Sequence, residues 1–85
     1  MYYTYVLYSQ KYDKIYIGYT SDIKKRLARH NSINNKGYTK KYQPWEILFT
    51  EEFQERTEAA KREKYWKSHA GRDKIRRIIL QKYNL

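Results

Sequence analysis

Two runs near the start of the chain constrain its fold more than any other feature: Tyr2-Tyr3-Thr4-Tyr5-Val6-Leu7-Tyr8-Ser9 and Ile15-Tyr16-Ile17-Gly18-Tyr19-Thr20. Both are built from aromatic and β-branched residues, whose side chains suit a pleated surface better than a helix. The polar stretch Lys11-Tyr12-Asp13-Lys14 between them is short and reads as a hairpin connection, so the spacing predicts an antiparallel pair. Ser21 or Asp22 can then cap a helix with Ile23 and Leu27 on its inner stripe, fading near His30-Asn31. Residues 32–42 hold turn formers, Gly37 and three lysines, and form the longest predicted loop. After Pro44, the alternation of Trp45, Ile47 and Phe49 marks a third strand that reaches Phe53. Helix formers dominate from Gln54 to His69, Ala70-Gly71 offers a stop, and Asp73 to Tyr83 forms a last helix carrying Ile75, Ile78, Ile79 and Lys82. The predicted order is β-β-α-β-α-α, a small α/β (α+β) fold of three strands flanked by helices, in a single domain spanning residues 1–85.

Composition narrows what such a domain meets. No stretch approaches the roughly 18 apolar residues of a spanning helix, and residues 1–20 lack the apolar core of a secretory signal. The absence of cysteine leaves no disulfide framework and no zinc finger, which fits a reducing compartment such as the cytoplasm. Lys and Arg number 19 against 9 acids, a net charge of +10, and that charge is blocked along the chain. Residues 21–42 carry seven cations against Asp22 alone, residues 43–60 carry five acids against Arg56, and residues 61–85 carry nine cations against Glu63 and Asp73. Two basic blocks of this kind suit a polyanion such as DNA or RNA, since each neutralised phosphate releases counterions. The basic stretches lack the broad apolar face that an anionic membrane surface would need.

Polar residues on faces that should be apolar mark candidate chemistry. On the predicted 54–69 helix, Glu63 shares a face with Ala59, Ala60, Trp66 and Ala70. A carboxylate there is either half-exposed at the stripe edge and paired with a lysine, or a ligand for a hard divalent ion such as Mg²⁺ or Mn²⁺. Arg26 and His30 lie four residues apart on one side of the first helix. They form either an ordinary solvated basic surface or a phosphate clamp with a neighbouring proton carrier. Tyr5 and Tyr16 sit on adjacent strands and can aim at the place Arg26 reaches, although most of the eleven tyrosines are amphipathic packing. A phenol ionises near pH 10, so base work by either would need a cation close by. Gly18 inside a strand predicts close approach by a neighbour or ligand. Gly-rich phosphate loops, HExxH, paired cysteines and Ser-His-Asp arrangements are all missing, and two histidines exclude a His-rich metal site.

Tyr3-Thr4-Tyr5, then Tyr16-Ile17-Gly18, then Arg26 and His30 within Arg26-Leu27-Ala28-Arg29-His30-Asn31, and the later run Glu55 to Glu63 together resemble the GIY-YIG nuclease superfamily. The likeness is to its small single-domain bacterial members, related to the nuclease domain of the excision-repair incision subunit, and it covers about residues 2–80. The resemblance implies a three-stranded antiparallel sheet with flanking helices and an endonuclease that hydrolyses DNA phosphodiester bonds with one divalent metal, Mg²⁺ or Mn²⁺. It implies catalytic roles for Tyr5, Tyr16, Arg26, His30 and Glu63, with Glu63 the metal ligand and Gly18 the motif glycine, and a setting in DNA repair or recombination. Under that reading, Lys24, Lys25, Lys36, Lys40 and Lys41 hold the nucleic-acid backbone, and a second copy or a partner protein supplies specificity. The chain departs from the family where Tyr3-Thr4 stands for Gly-Ile, where Tyr19 and Thr20 follow Gly18 in place of a lysine, and where Asn84 is the only asparagine beyond Glu63. The alternative is a basic nucleic-acid-binding module of the same fold without turnover, using loop 32–42 and exposed tyrosines for phosphate contact and base stacking.

Overall fold

The computed structural model describes residues 1–83; Asn84 lies outside the described residues. Strand β1 (Tyr2–Ser9) is central, with β2 (Lys14–Thr20) on one side and β3 (Glu46–Phe53) on the other, both antiparallel to it. A strand with neighbours on both edges and cover on both faces has no solvated position, so Thr4 to Ser9 are all buried without alternation. The element order is β-β-α-β-α-α, an α+β fold, as the sequence predicts.

Pairing sorts the side chains onto two faces. Tyr5 stands opposite Gly18 and Leu7 opposite Tyr16, while Val6 faces Ile17 and Tyr8 faces Ile15. Tyr5, Leu7 and Trp45 pack with Tyr16, Ile23, Leu27, Tyr42 and Ile47, under α1 (Ile23–His30) and a 3-10 turn over Tyr38–Tyr42. On the opposite face Val6, Tyr8, Ile17 and Leu48 pack against Trp66 of α2 (Arg56–Lys67) and Ile75 and Ile79 of α3 (His69–Tyr83). Thr4 extends that face, its hydroxyl donating to the Ala59 carbonyl at 2.7 Å.

Three local details differ from the sequence expectation. The register on β3 shifts between Val6 and Leu7, so Leu48 bulges and Leu48 and Phe49 both serve the α2–α3 face. The alternation Trp45, Ile47, Phe49 therefore breaks after Ile47. Loop 32–42 is partly ordered as the 3-10 turn, with Lys40 donating its N–H to the Gly37 carbonyl at 3.1 Å. The break between α2 and α3 falls at Ser68 rather than at Ala70-Gly71, both of which lie in the first turn of α3. Ser68 caps α3, its hydroxyl accepting from the Gly71 N–H at 3.2 Å. Gly71 is needed for proximity: a Cβ there would lie 2.6 Å from Trp66 Cα and against the Tyr65 carbonyl. Ala70 consequently leaves the Glu63 stripe and is exposed.

Candidate active site

The β1–β2 register aims Tyr5 and Tyr16 at the same face, and the helix that immediately follows β2 covers it. Asp22 fixes the start of α1 by accepting from the Lys25 N–H at 3.0 Å. Eight residues later His30 ends the helix with its ring buried against the tyrosines. The Tyr5 hydroxyl and His30 Nε2 share a hydrogen bond at 3.0 Å. The Tyr16 and His30 ring centroids are 4.6 Å apart, and those of Tyr5 and Tyr16 6.3 Å apart. Gly18 makes this possible. The Tyr5 ring lies across it, and a Cβ at position 18 would come within 2.6 Å of the Tyr5 hydroxyl oxygen.

His30 is held from behind by loop residues that sequence reasoning missed. Its Nδ1 hydrogen-bonds Thr39 Oγ1 at 3.0 Å. Asn35 donates to Thr39 Oγ1 at 2.6 Å and to the His30 carbonyl at 3.1 Å, while its own oxygen accepts from the Gly37 N–H at 2.8 Å. Gln43 donates to the His30 carbonyl, and Asn31 exchanges hydrogen bonds with the Trp45 backbone in both directions. Polar loop residues carry no periodicity, so their only signal is the density of Asn, Thr and Gln between α1 and β3.

Electrostatics sets the protonation of this chain of groups. Burial lowers the His30 pKa to about 4, with Arg26 and Arg29 pushing the same way, so the imidazole is neutral at pH 7. A neutral ring donates at one nitrogen and accepts at the other, which links Thr39, His30 and Tyr5 in one polarised chain. Burial also pushes the Tyr5 phenol up to about 12; nearby Tyr16 and Glu63 raise it, and the adjacent Arg26 guanidinium offsets part of the rise. Tyr5 thus remains a neutral phenol, only 2% exposed.

Outside these buried groups lies a cleft of about 270 Å³ lined by Tyr16, Arg26, Arg29, His30, Tyr38 and Thr39 among others. Tyr16 and Arg26 are both half-buried and form part of its wall. Glu63 does not line it. Glu63 sits on α2 with its side chain 23% exposed, paired with Lys67 at 3.6 Å, and its charge is felt at the Tyr5 hydroxyl. The stripe-edge geometry with a lysine partner is therefore present, and the loose i,i+4 pair leaves carboxylate oxygen free to take another cation. Among the described residues no three acidic, histidine or cysteine side chains cluster into a metal cage. A lone carboxylate still fits Mg²⁺, which keeps several waters and takes one or two carboxylates plus substrate phosphate. Lys24, Lys25, Lys36, Lys40 and Lys41 are all exposed, on α1 and on the segment that follows it.

A three-stranded antiparallel sheet that brings Tyr5 and Tyr16-Ile17-Gly18 side by side under an arginine- and histidine-bearing helix defines a GIY-YIG catalytic domain. That family matches residues 1–83, and the chain belongs to it, within a superfamily of nuclease-type hydrolases. Among its relatives is a UPF0213 protein of Limosilactobacillus reuteri (strain DSM 20016), 35% identical over 80 residues, covering 92% of this chain and 82% of the relative. UPF0213 protein SSP2268 of Staphylococcus saprophyticus is 36% identical over 64 residues, covering 75% of this chain and 78% of its own length. UPF0213 protein YazA of Bacillus subtilis (strain 168) is 42% identical over 52 residues, 61% of this chain and 52% of that protein. No solved structure matches the chain. No helix among the described residues is long and apolar enough to cross a membrane.

Proposed function

We propose that this chain is an endonuclease that hydrolyses DNA phosphodiester bonds with one Mg²⁺ or Mn²⁺ ion. The observation that carries this reading is the convergence of Tyr16, Arg26 and His30 on one cleft with cationic walls. Glu63 is the residue that would hold the ion. When bound, the ion supplies Lewis-acid stabilisation of charge on the phosphate and the leaving oxygen.

The remaining work belongs to the protein's own side chains. Arg26 pairs with the scissile phosphate and stabilises the charge that builds on it as water adds. Tyr16, acting in its phenolate form beside that guanidinium, takes the proton of the attacking water, directly or through His30. The new P–O bond forms as the P–O bond to the 3′ oxygen breaks, and the departing 3′ oxygen takes up a proton from solvent. Tyr5, its pKa pushed up to about 12, stays a neutral phenol at neutral pH and so is not available as the base. It holds His30, and through it the wall of the cleft, by a hydrogen bond. Exposed Lys24, Lys25, Lys36, Lys40 and Lys41 grip the flanking backbone without reading bases. Repair or recombination is the setting this activity suits, with specificity supplied by a partner protein or a second copy.

Plasmid nicking in Mg²⁺ or Mn²⁺ tests the reading. Glu63→Ala and Arg26→Ala are each expected to reduce the rate by on the order of a hundredfold or more, typical of lost transition-state stabilisation. Undiminished nicking by both variants overturns the assignment. Binding without turnover under every divalent ion supports the non-catalytic module instead.

A further inference from the structure

Three tyrosines outside the proposed chemistry form a continuous array that starts at the cleft. Tyr38 is part of the cleft lining, and its ring centroid is 5.0 Å from that of Tyr42. Tyr42 in turn meets Tyr12, on the β1–β2 hairpin, edge-on at 5.7 Å. The two outer rings are left in water, Tyr38 51% and Tyr12 42% exposed, in contrast to Tyr8, which buries all but 1% of itself in the core. Cations accompany the array along its length. Lys11 Nζ lies 5.4 Å from the Tyr12 ring centroid and Lys14 Nζ 5.3 Å from that of Tyr42. Lys40 and Lys41 stand exposed on the 3-10 turn between Tyr38 and Tyr42. Asp13, the acid beside Tyr12, is already engaged by the Tyr8 hydroxyl and by Arg76.

Exposed aromatic rings interleaved with lysines are what a single nucleic-acid strand requires. Unpaired bases stack on the rings and their phosphates meet the cations, whereas a duplex keeps its bases stacked on one another. Core packing accounts for Tyr42, which is half-buried against the cluster of Tyr5, Leu7 and Trp45, but not for the two half-solvated rings that meet it. We propose that the Tyr38–Tyr42–Tyr12 array is a stacking track for an unpaired DNA strand leading into the cleft, so that the preferred substrate carries a single-stranded segment. The choice of DNA and the destination of the strand rest on the nuclease reading above; the binding step does not.

Fluorescence anisotropy, run in a chelator so that no cleavage intervenes, tests the track with a labelled oligonucleotide presented single-stranded and as its duplex at equal salt. The wild-type chain is expected to bind the single strand more tightly. Tyr12→Ala and Tyr38→Ala should each weaken single-strand binding on the order of tenfold, with a much smaller effect on the duplex. Tyr12→Phe, which keeps the π-face and loses only the hydroxyl, should bind like wild type. Circular dichroism of each variant establishes that it is folded; Tyr12 is on an exposed hairpin, so its variants give a readout even where Tyr38→Ala misfolds. Unchanged single-strand affinity in folded Tyr12→Ala overturns the track, as does an equal loss on the duplex, a Phe variant as weak as Ala, or a preference for RNA of the same sequence. Loss of the track with Glu63-dependent nicking intact leaves the nuclease reading standing, while strand binding without any nicking defeats that reading and keeps the track.

Discussion

The Tyr5 ring occupies the space that a side chain at position 18 would fill, and its hydroxyl goes on to bond His30. One methyl group at position 18 therefore acts on the site through Tyr5. In an ordinary strand, replacing glycine by alanine gains about 0.5–1 kcal/mol from backbone entropy. Here the new Cβ would sit 2.6 Å from the hydroxyl and 2.8 Å from Cζ of a ring that is only 2% exposed and tied to His30 by its hydrogen bond. Gly18→Ala should thus destabilise by about 1–2 kcal/mol in urea unfolding, because overpacking outweighs the entropy gain. His30 offers a pH prediction. Its pKa is about 4 in the folded chain against 6.5 for the free group, so the unfolded state binds more protons between those values. The contribution to stability is complete above about pH 6.5 and is lost as pH falls towards 4, at most about 3 kcal/mol in total. Denaturation midpoints measured from pH 7 to 5 should decline in the wild type, and His30→Gln should flatten that decline. An equal slope in both proteins would assign the loss to other groups.

Between elements, the α2–α3 corner shows how local rules mislead when packing decides. Gly71 after Ala70 has the composition of a helix stop, yet it lies inside the first turn of α3, where Trp66 and the Tyr65 carbonyl crowd its Cα. Helix propensity favours Gly71→Ala by about 1 kcal/mol, whereas backbone atoms on the other side of the contact have nowhere to move. We expect the contact to win, with a net loss of about 2 kcal/mol and a melting temperature lower by roughly 10 °C. A rise in Tm for this variant would show that the corner yields. The same distinction explains what was legible in the sequence. Strands β1 and β2, the Asp22 cap of α1 and the order of elements follow from short-range patterns, and so does a close approach at Gly18, although the Tyr5 partner comes from the register. The Leu48 bulge does not, because it inverts the face of Phe49 through a register shift set by both strands. Nor do Thr39 and Asn35, which reach His30 from an aperiodic loop, or the meeting of Tyr12 with Tyr42 across thirty residues of chain.

Over the whole molecule, the net charge of +10 is not evenly available to a ligand. The two basic blocks lie on opposite faces of the sheet: residues 21–42 supply α1 and the 3-10 turn around the cleft, and residues 61–83 supply most of α2 and all of α3. Among the described residues, the ion pairs Arg62–Glu51, Lys67–Glu63, Arg76–Asp13 and Arg77–Asp73 all draw their cations from the second block. Those charges are partly spoken for by the protein's own acids, while among the described residues no cation of the first block has such a partner, and all but the half-buried Arg26 are exposed. Phosphate binding should therefore be carried by the cleft face, even though the α2–α3 block holds more cations. Each phosphate contact contributes about 0.9 to the slope of log K against log salt on duplex DNA. Lys24→Gln combined with Lys25→Gln should accordingly reduce that slope by about two, to the same extent on unrelated sequences, because backbone contacts do not read bases. Lys74→Gln combined with Lys82→Gln removes the same charge from exposed positions of α3 and should leave the slope nearly unchanged. Titrations across a salt series with both double variants decide the matter. An equal reduction by the α3 pair would mean that DNA wraps both faces or that net charge alone governs binding, and either result would remove the cleft face from its assigned role.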